Sequence, residues 1–126
     1  MAKTVVYSAQ APEPIGPYSQ AIRTGNMLFI SGQIAMERGS GQLITIDIKA
    51  ETRQVMANIG AVLKSAGVDF SAIVKTTIFL KNMNDFPVVN EAYGAFFKDN
   101  PPARETVEVS RLPRDANVEI SCIAAL

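Results

Sequence analysis

The chain has 126 residues, 12 basic and 12 acidic side chains, and no histidine, so its formal charge balances at zero. That balance gives no basic surplus to neutralise phosphates, which argues against a nucleic-acid binder. The missing histidine excludes Ser-His-Asp and Cys-His nucleophilic sites.

One cysteine, Cys122, rules out an internal disulfide and fits a reducing compartment. A lone thiol among scattered carboxylates leaves few ways to hold zinc or iron. Met1-Ala2-Lys3-Thr4 leads into no signal-like apolar core, and no apolar run reaches the length of a membrane span. The expectation is one soluble, cytoplasmic domain over residues 1–126.

In chain order, Lys3 to Tyr7 reads as a short strand. Residues 8–20 carry Pro12, Pro14, Gly16 and Pro17 and form an irregular loop. Ala21–Thr24 and Met27–Ser31 read as strands around a Gly25-Asn26 turn, and Gly39-Ser40-Gly41 marks a second turn. From Asp47 the period changes: Ile48, Val55, Ile59, Val62 and Leu63 make one helical stripe, capped by Asp47 and stopped at Gly67. Ile73–Leu80 is a strand whose alternate sets, Val74/Thr76/Ile78/Leu80 and Ile73/Thr77/Phe79, are both largely apolar. Such a strand is buried on both sides, and two helices cannot cover both faces, so a partner subunit is expected. Asn84 caps a second helix with Pro87 in its first turn and Phe86, Val89, Tyr93 and Phe96/Phe97 on its apolar side; Asn100-Pro101-Pro102 ends it. Arg104–Ser110 and Asn117–Ala124 are the last strands. The order β-β-β-α-β-α-β-β predicts an α+β domain with two helices on one face of a mixed sheet.

Alternation separates Val107 and Val109 from Arg104, Thr106, Glu108 and Ser110, and separates Val118, Ile120, Cys122 and Ala124 from Glu119 and Ser121. With the apolar sets facing the helices, Arg104, Thr106, Glu108, Glu119 and Ser121 are expected together on the helix-free face. An arginine there suits a carboxylate, and a glutamate can orient water or move a proton. From residue types alone, an Arg–Glu pair reads as structural support before it reads as a site. Likewise Cys122 reads as core, Tyr18 as packing, Ser31-Gly32-Gln33 as a turn and Asn90 as a solvated helix residue.

Five segments change that balance: Ile15-Gly16-Pro17-Tyr18-Ser19-Gln20-Ala21, Ile30-Ser31-Gly32-Gln33, Asn84-Asp85-Phe86…Val89-Asn90…Tyr93, Pro102-Ala103-Arg104-Glu105-Thr106-Val107-Glu108-Val109, and Arg111-Leu112-Pro113…Val118-Glu119-Ile120. Together, in order and end to end, they resemble the RidA/YjgF family of reactive-intermediate deaminases. The resemblance implies a chorismate-mutase-like fold with six strands, the last inserted beside Ile73–Leu80. It implies a homotrimer whose sheets join in a central barrel, with active sites between subunits. The implied activity is hydrolysis of 2-imino acids, such as 2-iminobutanoate and 2-iminopropanoate, to 2-oxo acids and ammonia, protecting pyridoxal-phosphate enzymes. No cofactor, metal, nucleic acid or membrane is implied.

By the same resemblance, Arg104 grips the substrate carboxylate and Glu119 positions or activates the attacking water. Backbone groups of Gly32 and Thr106 bond the substrate, and Tyr18, Ser31 and Asn90 line the pocket. Thr106 stands where the family often has cysteine, which removes any thiol chemistry there. The alternative is a non-enzymatic trimer that binds small carboxylates; a ribonuclease or a holdase chaperone fits less well.

Overall fold

The structure, a computed structural model, describes residues 2–126. Six strands form one sheet: β1 (Lys3–Val6), β2 (Ala21–Thr24), β3 (Met27–Gln33), β4 (Ile73–Leu80), β5 (Ala103–Glu108) and β6 (Val118–Ala125). Their order is β1-β2-β3-β6-β4-β5; only the β4–β5 pair is parallel. The last strand therefore lies inside the sheet, between β3 and β4, as the resemblance implies.

Helix α1 (Ile48–Ser65) follows its periodic stripe. Asp47 caps it, its carboxylate accepting from the Ala50 amide at 2.7 Å. It ends where Gly67 adopts a φ of +80°, and the Val68 amide reaches back to the Leu63 carbonyl at 3.1 Å. Val55, Ile59, Val62 and Leu63 bury completely against Leu28, Ile78, Leu80, Val118 and Ile120 of the sheet. At roughly 1.5–3 kcal/mol for each large side chain, this single covered face supplies most of the apolar stabilisation. Helix α2 (Phe86–Gly94) packs beside α1. No helix among the described residues is long and apolar enough to cross a membrane.

Four local expectations differ from what is seen. First, α2 begins at Phe86 and stops at Gly94. Asn84 does not cap it: Asn82 instead caps a short 3-10 turn, Met83–Asp85, that leads into it. Phe96 and Phe97 lie just beyond the helix and rest against Phe70 and Tyr93. Second, the register of β4 against β6 shifts between Ile73 and Lys75, a bulge that turns Val74 outward and puts Ile73 in the core with Thr76, Ile78 and Leu80. Third, β3 continues through Ser31-Gly32-Gln33 instead of turning there, with a bulge of its own between Ile30 and Gln33.

The fourth is a correction with consequences for function. Arg104 and Thr106 do not share a face with Glu119. Arg104 pairs with Thr76 and Thr106 with Ile78, on the side the helices cover, whereas Val107 pairs with Phe79, beside Glu119, on the open side. Val107 is 42% exposed there. The open face is itself largely apolar, carrying Val5, Ile22, Phe29, Phe79 and Ile123, so apolarity does not identify the face that meets the helices. β4 is thus buried on one side only within a single chain.

Candidate active site

The sheet divides the expected site residues into two groups. The first surrounds a cavity of about 760 Å³ whose lining includes Tyr18, Ser31, Gly32 and Glu119. One wall is the Pro-rich loop, which has no regular backbone ladder and is held by Gln20. The buried Gln20 amide accepts from the Ser8 amide at 2.6 Å and donates to the carbonyls of Ser8 at 3.0 Å and Pro12 at 2.9 Å. Gly16, at a φ of +124°, makes the bend that only glycine takes readily. Tyr18 follows, half exposed at the cavity. Ser31 ties the loop to β3, its hydroxyl donating to the Ser19 carbonyl at 2.6 Å.

Gly32 lies within the β3 bulge, and Glu119 of β6 closes over it. A Cβ at position 32 would lie 2.8 Å from the Glu119 carboxyl carbon and 3.2 Å from its Cγ. Glycine is therefore the residue that lets this carboxylate lie against the strand. Glu119 is half-buried and makes no ion pair among the described residues. Burial pushes its carboxyl above the usual carboxylate range. Arg114 lines the same cavity from the turn before β6, where it and Asp115 both adopt left-handed backbone (φ +56° and +58°) and Lys81 holds Asp115 at 2.5 Å. Sequence reasoning did not single out Arg114, and left-handed residues other than glycine carry no clear signature.

The second group lies beneath α2. Arg104 donates through Nη1 to Oδ1 of Asn90 at 2.8 Å, and its guanidinium carbon lies over the rings of Phe86 and Tyr93, 5.5 and 5.2 Å from their centroids. Tyr93 is fixed in turn by a 2.8 Å hydrogen bond between its hydroxyl and that of Thr76, the residue paired with Arg104 across the ladder. Thr106 joins this group; its buried hydroxyl has no hydrogen-bond partner among the described residues. Asn90 thus holds the arginine and does not line the Glu119 cavity. Cys122 is core, as expected, with burial pushing its thiol up to about 12, so it is an inert sulfur.

A carboxylate with raised proton affinity beside an open cavity can take and return a proton. A fixed guanidinium can hold a carboxylate. The two lie on opposite faces of one sheet, so a single chain does not bring them to one ligand.

A six-stranded mixed sheet with two helices on one face, carrying these two groups on its opposite sides, is an arrangement that known proteins share. The family model described as endoribonuclease L-PSP matches residues 8–126. A RutC family protein of Pyrococcus horikoshii is 51% identical over 97% of both chains. The human 2-iminobutanoate/2-iminopropanoate deaminase is 45% identical over 97% of this chain and 89% of its own. Among solved structures, a protein of unknown function of the Rid family from Yersinia pestis superposes with a TM-score of 0.97, at 50% identity, covering 99% of this chain and all of that one. The chain belongs to the endoribonuclease L-PSP family, the family of RidA and YjgF.

Proposed function

We propose that this protein hydrolyses 2-imino acids such as 2-iminobutanoate and 2-iminopropanoate to 2-oxo acids and ammonia, as a homotrimer with sites between subunits. The observation that carries this reading is the half-buried Glu119 carboxylate, without an ion-pair partner among the described residues, lying against Gly32 at the cavity. The similarity to the human deaminase supports the substrate class.

In the proposed reaction Arg104 of one subunit binds the substrate carboxylate, and Glu119 of a neighbour faces the imine carbon. Glu119 accepts a proton from water as the water oxygen bonds to that carbon, giving a carbinolamine. The same carboxyl returns the proton to nitrogen, and the C–N bond breaks as the carbonyl forms. The nitrogen leaves as ammonia, taking up the hydroxyl proton as ammonium. A protonated imine is already electrophilic, so placing the water and the charge supplies the main catalytic effect.

Trimer formation is supported by three features: the apolar open face, the free outer edges of β1 and β5, and the separation of Arg104 from Glu119. Sheet edges and apolar sheet faces are surfaces that a partner subunit can cover.

The test is a coupled assay. A threonine dehydratase generates 2-iminobutanoate, and 2-oxobutanoate release is followed with and without this protein. The expected result is acceleration by the wild type that Arg104→Ala abolishes while sedimentation still reports a trimer. No acceleration by a folded trimer that binds 2-oxobutanoate would instead identify a carboxylate-binding module.

A further inference from the structure

Phe86, Asn90 and Tyr93 are spaced i, i+4, i+7 in α2 and therefore form one stripe on that helix. All three touch the same guanidinium. The helix stripe looks like ordinary core packing in sequence, yet Phe86 is only half-buried and Asn90 is exposed. Its other conspicuous work is to surround Arg104.

The hydrogen-bond pattern is directional. Nη1 of Arg104 is taken by Asn90, whereas Nε and Nη2 have no protein partner among the described residues. Those two nitrogens lie along one side of the planar guanidinium, and their N–H bonds point the same way. That edge matches the two oxygens of a carboxylate. The guanidinium carbon lies over both rings, and neither ring is hydrogen-bonded to that edge. The Tyr93 ring cannot swing away, because its hydroxyl is bound to Thr76, which is in register with Arg104 on β4.

We infer that Phe86, Asn90 and Tyr93 are positioning residues that hold Arg104 with its Nε–Nη2 edge presented, so that the substrate carboxylate binds side-on in a two-bond fork. The inference rests on the reading of Arg104 as the carboxylate anchor. An arginine side chain loses several rotatable bonds on binding; here that ordering is complete before the ligand arrives. Lysine, a point charge without an edge, does not substitute.

The experiment measures binding of 2-oxobutanoate, the stable product, by calorimetry, and kcat and KM in the coupled assay. The variants are Phe86→Leu, Phe86→Tyr, Asn90→Ala, Arg104→Lys and Arg104→Ala. Phe86→Leu and Asn90→Ala are expected to weaken 2-oxobutanoate binding and raise KM about three- to tenfold, with kcat nearly unchanged. Phe86→Tyr restores binding, and Arg104→Lys does not. Discrimination between 2-oxobutanoate and its primary amide falls in Phe86→Leu, which a merely structural role would not produce. Wild-type binding by both folded Phe86→Leu and Asn90→Ala, with binding lost in Arg104→Ala, overturns the inference and leaves the anchor standing. Wild-type binding by Arg104→Ala removes the anchor itself, and the inference with it.

Discussion

Ile78 and Phe79 are neighbours in β4, but they meet different surroundings. Ile78 points into the core under α1 and is fully buried; Phe79 points to the open face, between Val107 and Glu119. The same division runs across the sheet. On the covered side apolar groups are packed and even the charged Arg104 is held by three side chains. On the open side apolar groups remain exposed and Glu119 has no ionic partner among the described residues. One face is finished by the chain's own helices. The other has the composition of an interior without its second wall, and the half-buried carboxylate of Glu119 lies on that unfinished side.

Substituting the two neighbours separates the two faces. Ile78→Ala is expected to cost about 2–5 kcal/mol of stability in denaturant titration, because it opens a cavity in a packed core. Phe79→Lys is expected to leave a folded chain that sediments as a monomer and has lost turnover. A trimer that survives this change would show that the open face is not the contact surface.

Smaller effects are expected around Glu119. Gly32→Ala is expected to lower kcat about tenfold, since each 1.4 kcal/mol of lost transition-state stabilisation is one decade. Its melting temperature should be close to wild type, because the displaced group is a side-chain end and not backbone. Unchanged kcat would mean that the carboxylate does not need its seat on the strand.

The pH dependence should be the smallest effect and the most specific. Burial raises the folded-state affinity of Glu119 for its proton. The sign follows: a carboxyl whose pKa is raised by folding contributes stability at low pH, and that contribution is lost as pH rises through the raised value. Glu119→Gln should therefore melt at or above wild type near neutral pH while turning over slowly, with any stability advantage shrinking as the pH falls towards the ordinary carboxylate range. In the wild type, the acid limb of kcat/KM should lie above that range. A Gln variant that is less stable at neutral pH would indicate a structural partner for the carboxylate.

Much of this was legible in sequence because local chemistry decided it. The Asp47 cap, the Gly67 stop and the Gly25-Asn26 hairpin turn, with Gly25 at a φ of +59°, are set by residues within a few positions of one another. Parity in β6 correctly placed Cys122 in the core. Parity in β5 failed, because the rule that apolar residues face the helices assumes that only one face needs them. The two bulges also lay beyond reach: a single added residue at Val74 or near Gly32 inverts a face without altering composition. The buried Glu51, whose carboxylate accepts from both the backbone and side-chain amide of Asn117 at 2.7 Å, was hidden in another way. Its partner is 66 positions away, and an acidic residue in the first turn of a helix already has a sufficient local reason to be there. For the candidate site, the residues came from the resemblance, and parity did not show that Arg104 and Thr106 lie on the opposite face from Glu119.

The placement of Arg104 and Glu119 on opposite faces has a genetic consequence. In the proposed assembly each site takes its arginine and its glutamate from different protomers, so two defective alleles can complement one another. Arg104→Ala chains, inactive alone, and Glu119→Gln chains, slow alone, should regain activity when co-expressed, with about a quarter of the sites in randomly mixed rings intact. A chain carrying both changes would only poison such a mixture.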